Sequence, residues 1–152
     1  MITVKHCTAE DIPDIYRLMK GLAEFEKMSD ALTIDEKGLE RLMTEEKAFE
    51  ALLAYEDGKA VGLALYYFYM LSTFSGRRVL YLEDIFVDEE YRKKGTGRLL
   101  MQELINEARA RGCIKMEWKC LKWNENAVRF YEKLGAEISP DWLTFTLKED
   151  KF

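Results

Sequence analysis

Apolar positions along this chain recur in two periods, one near two residues and one near 3.6, and the switches between them mark its elements. Residues 2–7 alternate well enough for a short first strand. Thr8-Ala9-Glu10-Asp11 has the capping-box form, and Ile12, Ile15, Met19 and Leu22 then recur at helical spacing. Pro13 falls in the first turn, where its missing N–H costs nothing, and the helix runs to Phe25 or Glu26. A second box, Thr33-Ile34-Asp35-Glu36, opens a shorter helix with Leu39, Leu42 and Met43 on one face. Two apolar runs, 48–55 and Lys59–Met70, are joined by Asp57-Gly58, a strong hairpin signal. The second run is long and aromatic (Tyr66, Tyr67, Phe68, Tyr69), as a central strand covered on both faces requires. Gly76 marks another reversal, so 77–87 reads as a third strand of the same meander.

Residues 79–112 then read as an apolar strand, a charged turn with two spaced glycines, and an amphipathic helix. Leu100, Leu104 and Ala108, with Met101 and Ile105 beside them, form its apolar stripe, and Gly112 closes it. A strand over 113–121 follows. Asn124 caps a helix that turns Ala127, Val128, Tyr131 and Leu134 inward and ends at Gly135; 142–147 reads as a last strand. The order β-α-α-β-β-β-α-β-α-β predicts an α/β fold with a mixed sheet, an antiparallel meander first and a βαβ crossover after it. With no repeat or linker, residues 1–152 read as one domain.

Composition narrows the class. A formal charge of −5 argues against broad nucleic-acid contact and mildly favours a cationic small substrate. Cys7, Cys113 and Cys120 are odd in number and lack metal-ligand spacing, so no metal site is expected. They read as small buried hydrophobes of a reducing compartment. Charges at Lys5, Glu10 and Asp11 argue against a secretory leader, and the longest apolar run is too short to span a bilayer. A cytoplasmic chain without membrane contact is the expectation.

Three constellations carry chemistry. Arg92-Lys93-Lys94-Gly95-Thr96-Gly97-Arg98 sits between a strand and a helix. The first turn of a helix has N–H groups without intrahelical partners and a partial positive charge, and the glycines let backbone approach a phosphate closely. The competing reading is a plain turn with solvated cations. Glu83 and Asp84 interrupt the strand, and alternation sends them to opposite faces, so one must enter a packed layer unless it meets a cleft. Alternation does not say which of them is a general base and which structural. Tyr131, on its helix's apolar stripe, is either core or a proton donor, since an unperturbed phenol stays protonated below pH ~10.

Together, in this order, these features resemble the GNAT superfamily of N-acetyltransferases. The Arg-x-x-Gly-x-Gly segment looks like its acetyl-CoA pyrophosphate loop, and Trp123-Asn124, Phe130-Tyr131 and Leu134-Gly135-Ala136 look like its second cofactor-side motif. Residues 21–30 and 81–87 resemble the spermidine/spermine and thialysine N-acetyltransferase branch. The resemblance implies a GNAT-like fold and transfer of acetyl from acetyl-CoA to a small primary amine, with Glu83 as base and Tyr131 as acid. It implies that Ile85, Phe86 and Val87 meet the pantetheine arm, that Arg92, Lys93, Lys94, Gly95, Thr96, Gly97 and Arg98 cradle the pyrophosphate, and that Asn124, Ala127 and Tyr131 lie on the cofactor side. Phe25, Glu26, Glu83 and Trp142 would border the amine, and the enzyme would be a homodimer. Acetylation of a protein lysine or N-terminus, and acetyl-CoA sensing without turnover, are the alternatives.

Overall fold

The Asp57-Gly58 turn forms as the sequence predicts. Both residues take positive φ, 51° and 80°, the mirror-image turn whose twist suits two antiparallel strands. It joins β2 (Glu50–Glu56) to β3 (Lys59–Met70). The computed structural model describes residues 1–71 and 73–152, which fall into two units, Met1–Lys119 and Cys120–Phe152.

The first unit holds one sheet whose strands lie side by side in chain order: β1 (Ile2–His6), β2, β3, β4 (Arg78–Val87) and β5 (Lys115–Trp118). The first four are antiparallel neighbours, and β5 runs parallel to β4 after a helical crossover. This is the mixed α/β sheet that the hydrophobic pattern predicts. β3 is central and its residues Ala60 to Tyr66 are all buried.

Helices α1 (Ile12–Phe25) and α2 (Glu36–Thr44) cover one face. Ile12, Ile15, Leu18 and Leu39 join Ala51, Leu53, Leu63, Leu65 and Phe86 in one apolar cluster. Gly21 lets α1 settle there, because a Cβ at this position would lie 2.7 Å from the Phe86 ring. Helix α3 (Thr96–Ala110) buries Leu100, Met101, Leu104 and Ala108, the stripe expected of it. It sits close to β3, where a Cβ on Gly62 would meet Leu100 and Thr96 at 3.2 Å.

Three expectations need correction. The cap of α2 is Asp35, whose side chain accepts the Gly38 N–H at 2.8 Å, and not Thr33. Starting there lets Ile34, just outside the helix, pack against the apolar cluster. β5 is shorter than 113–121, for two reasons. The Cys113 N–H still closes α3 by donating to the Ala108 carbonyl, and pairing with β4 stops at Leu82, where β4 changes register. Finally, 142–147 is not a strand. Its alternation is real, but no other strand takes up its backbone groups among the described residues, and Trp142, Leu143 and Phe145 are 82%, 84% and 90% exposed. A strand needs a paired neighbour as well as a pattern.

The second unit contains α4 (Glu125–Lys133), capped as expected by the Asn124 side chain, which accepts the Ala127 N–H at 3.2 Å. No helix among the described residues is long and apolar enough to cross a membrane.

Candidate active site

β4 departs from regular alternation at one residue. Leu65 of β3 faces Asp84 while Tyr66 faces Leu82, so Glu83 is an extra residue with no partner. A bulge of this kind re-aims side chains and is common beside active sites. Below it, Phe86 and Asp84 share the α1 face; above it, Tyr81 lies opposite Tyr67 on that same face. The strict alternation read from the sequence is therefore corrected. The charge of Glu83 acts on Asp84, Tyr67 and Tyr81, so both carboxylates of the pair belong to one neighbourhood.

The two carboxylates differ in exposure. Glu83 is exposed, whereas Asp84 is half-buried. Burial, then the charges of Glu83 and Glu26, push the Asp84 carboxyl up to about 6. Glu26, just past the end of α1, is itself raised by burial. The rings of Tyr67 and Tyr81 lie 5.1 Å apart, and Tyr69 lies 6.3 Å from Tyr81. The Tyr69 hydroxyl donates to Glu117, which also pairs with Lys115 and is held below the usual carboxylate range by those two bonds. Four carboxylates and three phenol rings thus border one stretch of sheet. The sequence pointed to Glu83, Asp84 and Glu26 there; Tyr67, Tyr69 and Tyr81 were missed as their neighbours, because the bulge is what brings Tyr81 onto the face of Asp84.

β4 continues to Val87 while β5 ends opposite Leu82, so residues 83–87 have no paired strand on that side among the described residues. Ile85 is half-buried there. The Phe86 side chain belongs to the apolar cluster, which leaves only its backbone toward any ligand. The Val87 carbonyl already accepts the Arg92 Nε–H at 2.8 Å.

The glycine joint opens α3 as expected. Gly95 is the residue before the helix, with φ 89°, a left-handed value that glycine adopts without the strain a side chain would bring. No acidic residue occupies the first turn of α3. Lys93, itself at φ 61°, and Arg98 are exposed at the start of α3. Lys94 lies 3.8 Å from Glu56 and over the Tyr91 ring. Gly97 is half-buried. Thr96 is buried, with its hydroxyl donating to the Tyr91 carbonyl, so its side chain serves packing and only its N–H faces the helix end. Arg92 also turns inward, over the Phe25 and Phe86 rings.

Asn124, Ala127, Tyr131 and Trp142 belong to the second unit. The Asn124 side-chain oxygen and the Ala127 N–H hold each other at the start of α4. Tyr131 is half-buried, its ring 5.4 Å from that of Phe130. Trp142 is exposed.

The site thus joins a mixed sheet, a bulged fourth strand open along one edge and a glycine-capped helix. The pattern of the acetyltransferase (GNAT) family matches residues 12–136, so the chain belongs to that family. It is an N-acetyltransferase. The chain is 36% identical over 154 residues to the thialysine N-epsilon-acetyltransferase of Mus musculus, covering 93% of this chain and 89% of that protein. It is 24% identical to an L-ornithine N5-acetyltransferase of Arabidopsis thaliana, over 97% of this chain and 84% of that one. Its fold superposes on a crystal structure of an aminoglycoside acetyltransferase from an uncultured soil metagenomic sample, in complex with trehalose. There the TM-score is 0.81 at 21% identity, with 97% of each chain covered.

Proposed function

We propose that this enzyme moves an acetyl group from acetyl-CoA to the side-chain amine of a small basic amino acid of the thialysine or ornithine kind, or to a diamine of similar length. The observation that carries this reading is the carboxylate and tyrosine face of β3 and β4. A primary amine has pKa ~10.4 and arrives as a cation. Glu26, Glu83 and Asp84 attract it, and the Tyr67 and Tyr81 rings offer flat faces to its charge and methylenes. The names of the mouse and Arabidopsis relatives support the same class.

Acetyl-CoA supplies an activated thioester. The residues present suit it: the N–H groups of the first turn of α3, the left-handed Gly95 and the exposed Lys93 and Arg98 suit a pyrophosphate, and the unpaired edge of β4 suits an amide-bearing arm. Glu83 accepts the ammonium proton, directly or through one water. Backbone N–H groups near Ile85 to Val87 stabilise negative charge on the acyl oxygen. Tyr131 donates a proton to the departing thiolate. The two units act as one acetyltransferase domain, and the active form is a homodimer, which sedimentation of the purified chain would measure.

The test is a thiol-release assay with acetyl-CoA across thialysine, ornithine, lysine, spermidine, spermine, short diamines and a lysine-containing peptide. Turnover with the small cationic amines and little with the peptide is expected. Preference for the peptide would favour a protein acetyltransferase. Silence with every amine, with coenzyme A still bound, would sink the enzymatic reading of this face.

A further inference from the structure

The Arg92 side chain runs inward from the glycine loop. Its Nε–H donates to the Val87 carbonyl at 2.8 Å, which ties the loop to the last residue of β4. Its guanidinium carbon then lies 4.8 Å from the centre of the Phe25 ring and 5.4 Å from that of Phe86. Both distances fall within the range over which a cation is attracted to an aromatic face. Phe86 sits in the core of β4, and Phe25 is the last residue of α1. One flat cation therefore touches three elements: the loop leading into α3, the end of β4 and the end of α1. The residue after Phe25 is Glu26, whose charge acts on Asp84.

Resting on the acetyl-transfer reading above, we infer that Arg92 is a positioning residue that couples the cofactor loop to the acceptor-binding end of α1. Its guanidinium is engaged by a carbonyl and two rings, so Lys93 and Arg98, exposed at the same loop, are the cations left for an anionic ligand. A change in the loop on coenzyme A binding moves the guanidinium, and the guanidinium holds Phe25, hence Glu26, over the carboxylates of β4. Only arginine does this: the planar group stacks on a ring while its Nε–H points sideways to a carbonyl, and a lysine ammonium does not combine the two. Such coupling is reciprocal, so a bound amine also tightens the hold on coenzyme A.

Arg92→Lys separates this role from direct contact with pyrophosphate, because it keeps the charge and removes the flat donor. Coenzyme A affinity of the variant, measured by calorimetry without amine, should change little. The KM for the acceptor amine should rise about tenfold, a typical coupling magnitude, with a smaller change in kcat. Hydrogen exchange gives a readout free of turnover: coenzyme A should protect residues 21–28 in the wild-type chain and fail to do so in the variant. Phe25→Leu, at the other end of the contact, should reproduce both effects, and the double variant should be no worse than either single; it also keeps the test open should Arg92→Lys not fold. A tenfold loss of coenzyme A affinity in Arg92→Lys, with acceptor KM unchanged, would overturn the coupling alone, as would wild-type exchange at 21–28 indifferent to coenzyme A. A wild-type chain that binds no coenzyme A would overturn the acetyl-transfer reading itself.

Discussion

Two aspartates in the first unit respond to folding in opposite directions. Asp11 is buried, which pushes its carboxyl up, but bonds from Lys5 at 2.8 Å, the Thr8 N–H at 2.9 Å and the Tyr55 hydroxyl at 3.1 Å outweigh this and leave it lowered. Asp84 has burial and two neighbouring carboxylates, and no paired cation among the described residues. Its folded-state value lies above the ordinary 3.8, so the folded chain keeps a proton that the unfolded chain releases, and stability falls as pH rises from 3.8 to about 6. Asp84→Asn removes that cost. The variant should melt with wild type at pH 4 and above it at pH 8, as calorimetric scans would register; equal melting at both would mean the carboxyl is solvated. At Tyr131 the substitution to Phe should lower turnover by roughly 10²-fold, the usual worth of a general acid, with cofactor affinity kept. Unchanged turnover in a stopped-flow assay would leave the ring a packing residue.

At the scale of elements, hydrophobic period and caps made most of this fold legible. α1, α3 and α4, the Asp57-Gly58 hairpin and the meander could be read because each is decided locally, by capping, spacing or positive φ. What could not be read is decided by a neighbour. The bulge at Glu83 exists only as a mismatch between β3 and β4, β5 stops where its partner bulges, and 142–147 has a strand's alternation without a strand's partner. For the same reason the chemistry was half visible. The glycine loop and Glu83 stand out in one dimension, while Tyr67, Tyr81 and Asp84 meet only across strands. Gly21 is another such case, ordinary in a helix until Phe86 is seen beneath it. Gly21→Ala should push α1 away from β4, lowering the melting temperature and raising acceptor KM, because Phe25 and Glu26 end that helix. An unaltered KM in a destabilised variant would mean that the helix end adjusts independently.

At the scale of the whole molecule, the formal charge is −5, and acidic groups are gathered where β4 meets α1. A cationic acceptor is drawn toward such a field, and salt screens the attraction over about 8–10 Å near physiological ionic strength. The kcat/KM for a dicationic amine should therefore fall several-fold as salt rises, and more steeply than for a monocationic amine of equal length. Parallel slopes for the two would mean that recognition is local to the reacting amine.

The unpaired position at Glu83 has a bearing on how this chain can be edited. Because the bulge adds one residue to β4, everything from Val79 to Leu82 stands in a different phase from everything after Asp84. Deleting residue 83 is thus a different experiment from neutralising it. Substitution removes a charge and keeps the strand's phase. Deletion takes out the bulge itself: Leu82 and Asp84 stay opposite Tyr66 and Leu65, so both faces keep their side chains while β4 loses its local kink and its exposed carboxylate. Chimeras that splice the front half of this chain to the back half of a relative face the same constraint. A junction that loses the one residue between Leu82 and Asp84 keeps both faces and gives up only the bulge, whereas one that loses a paired residue of β4 puts the side chains beyond it on the wrong faces.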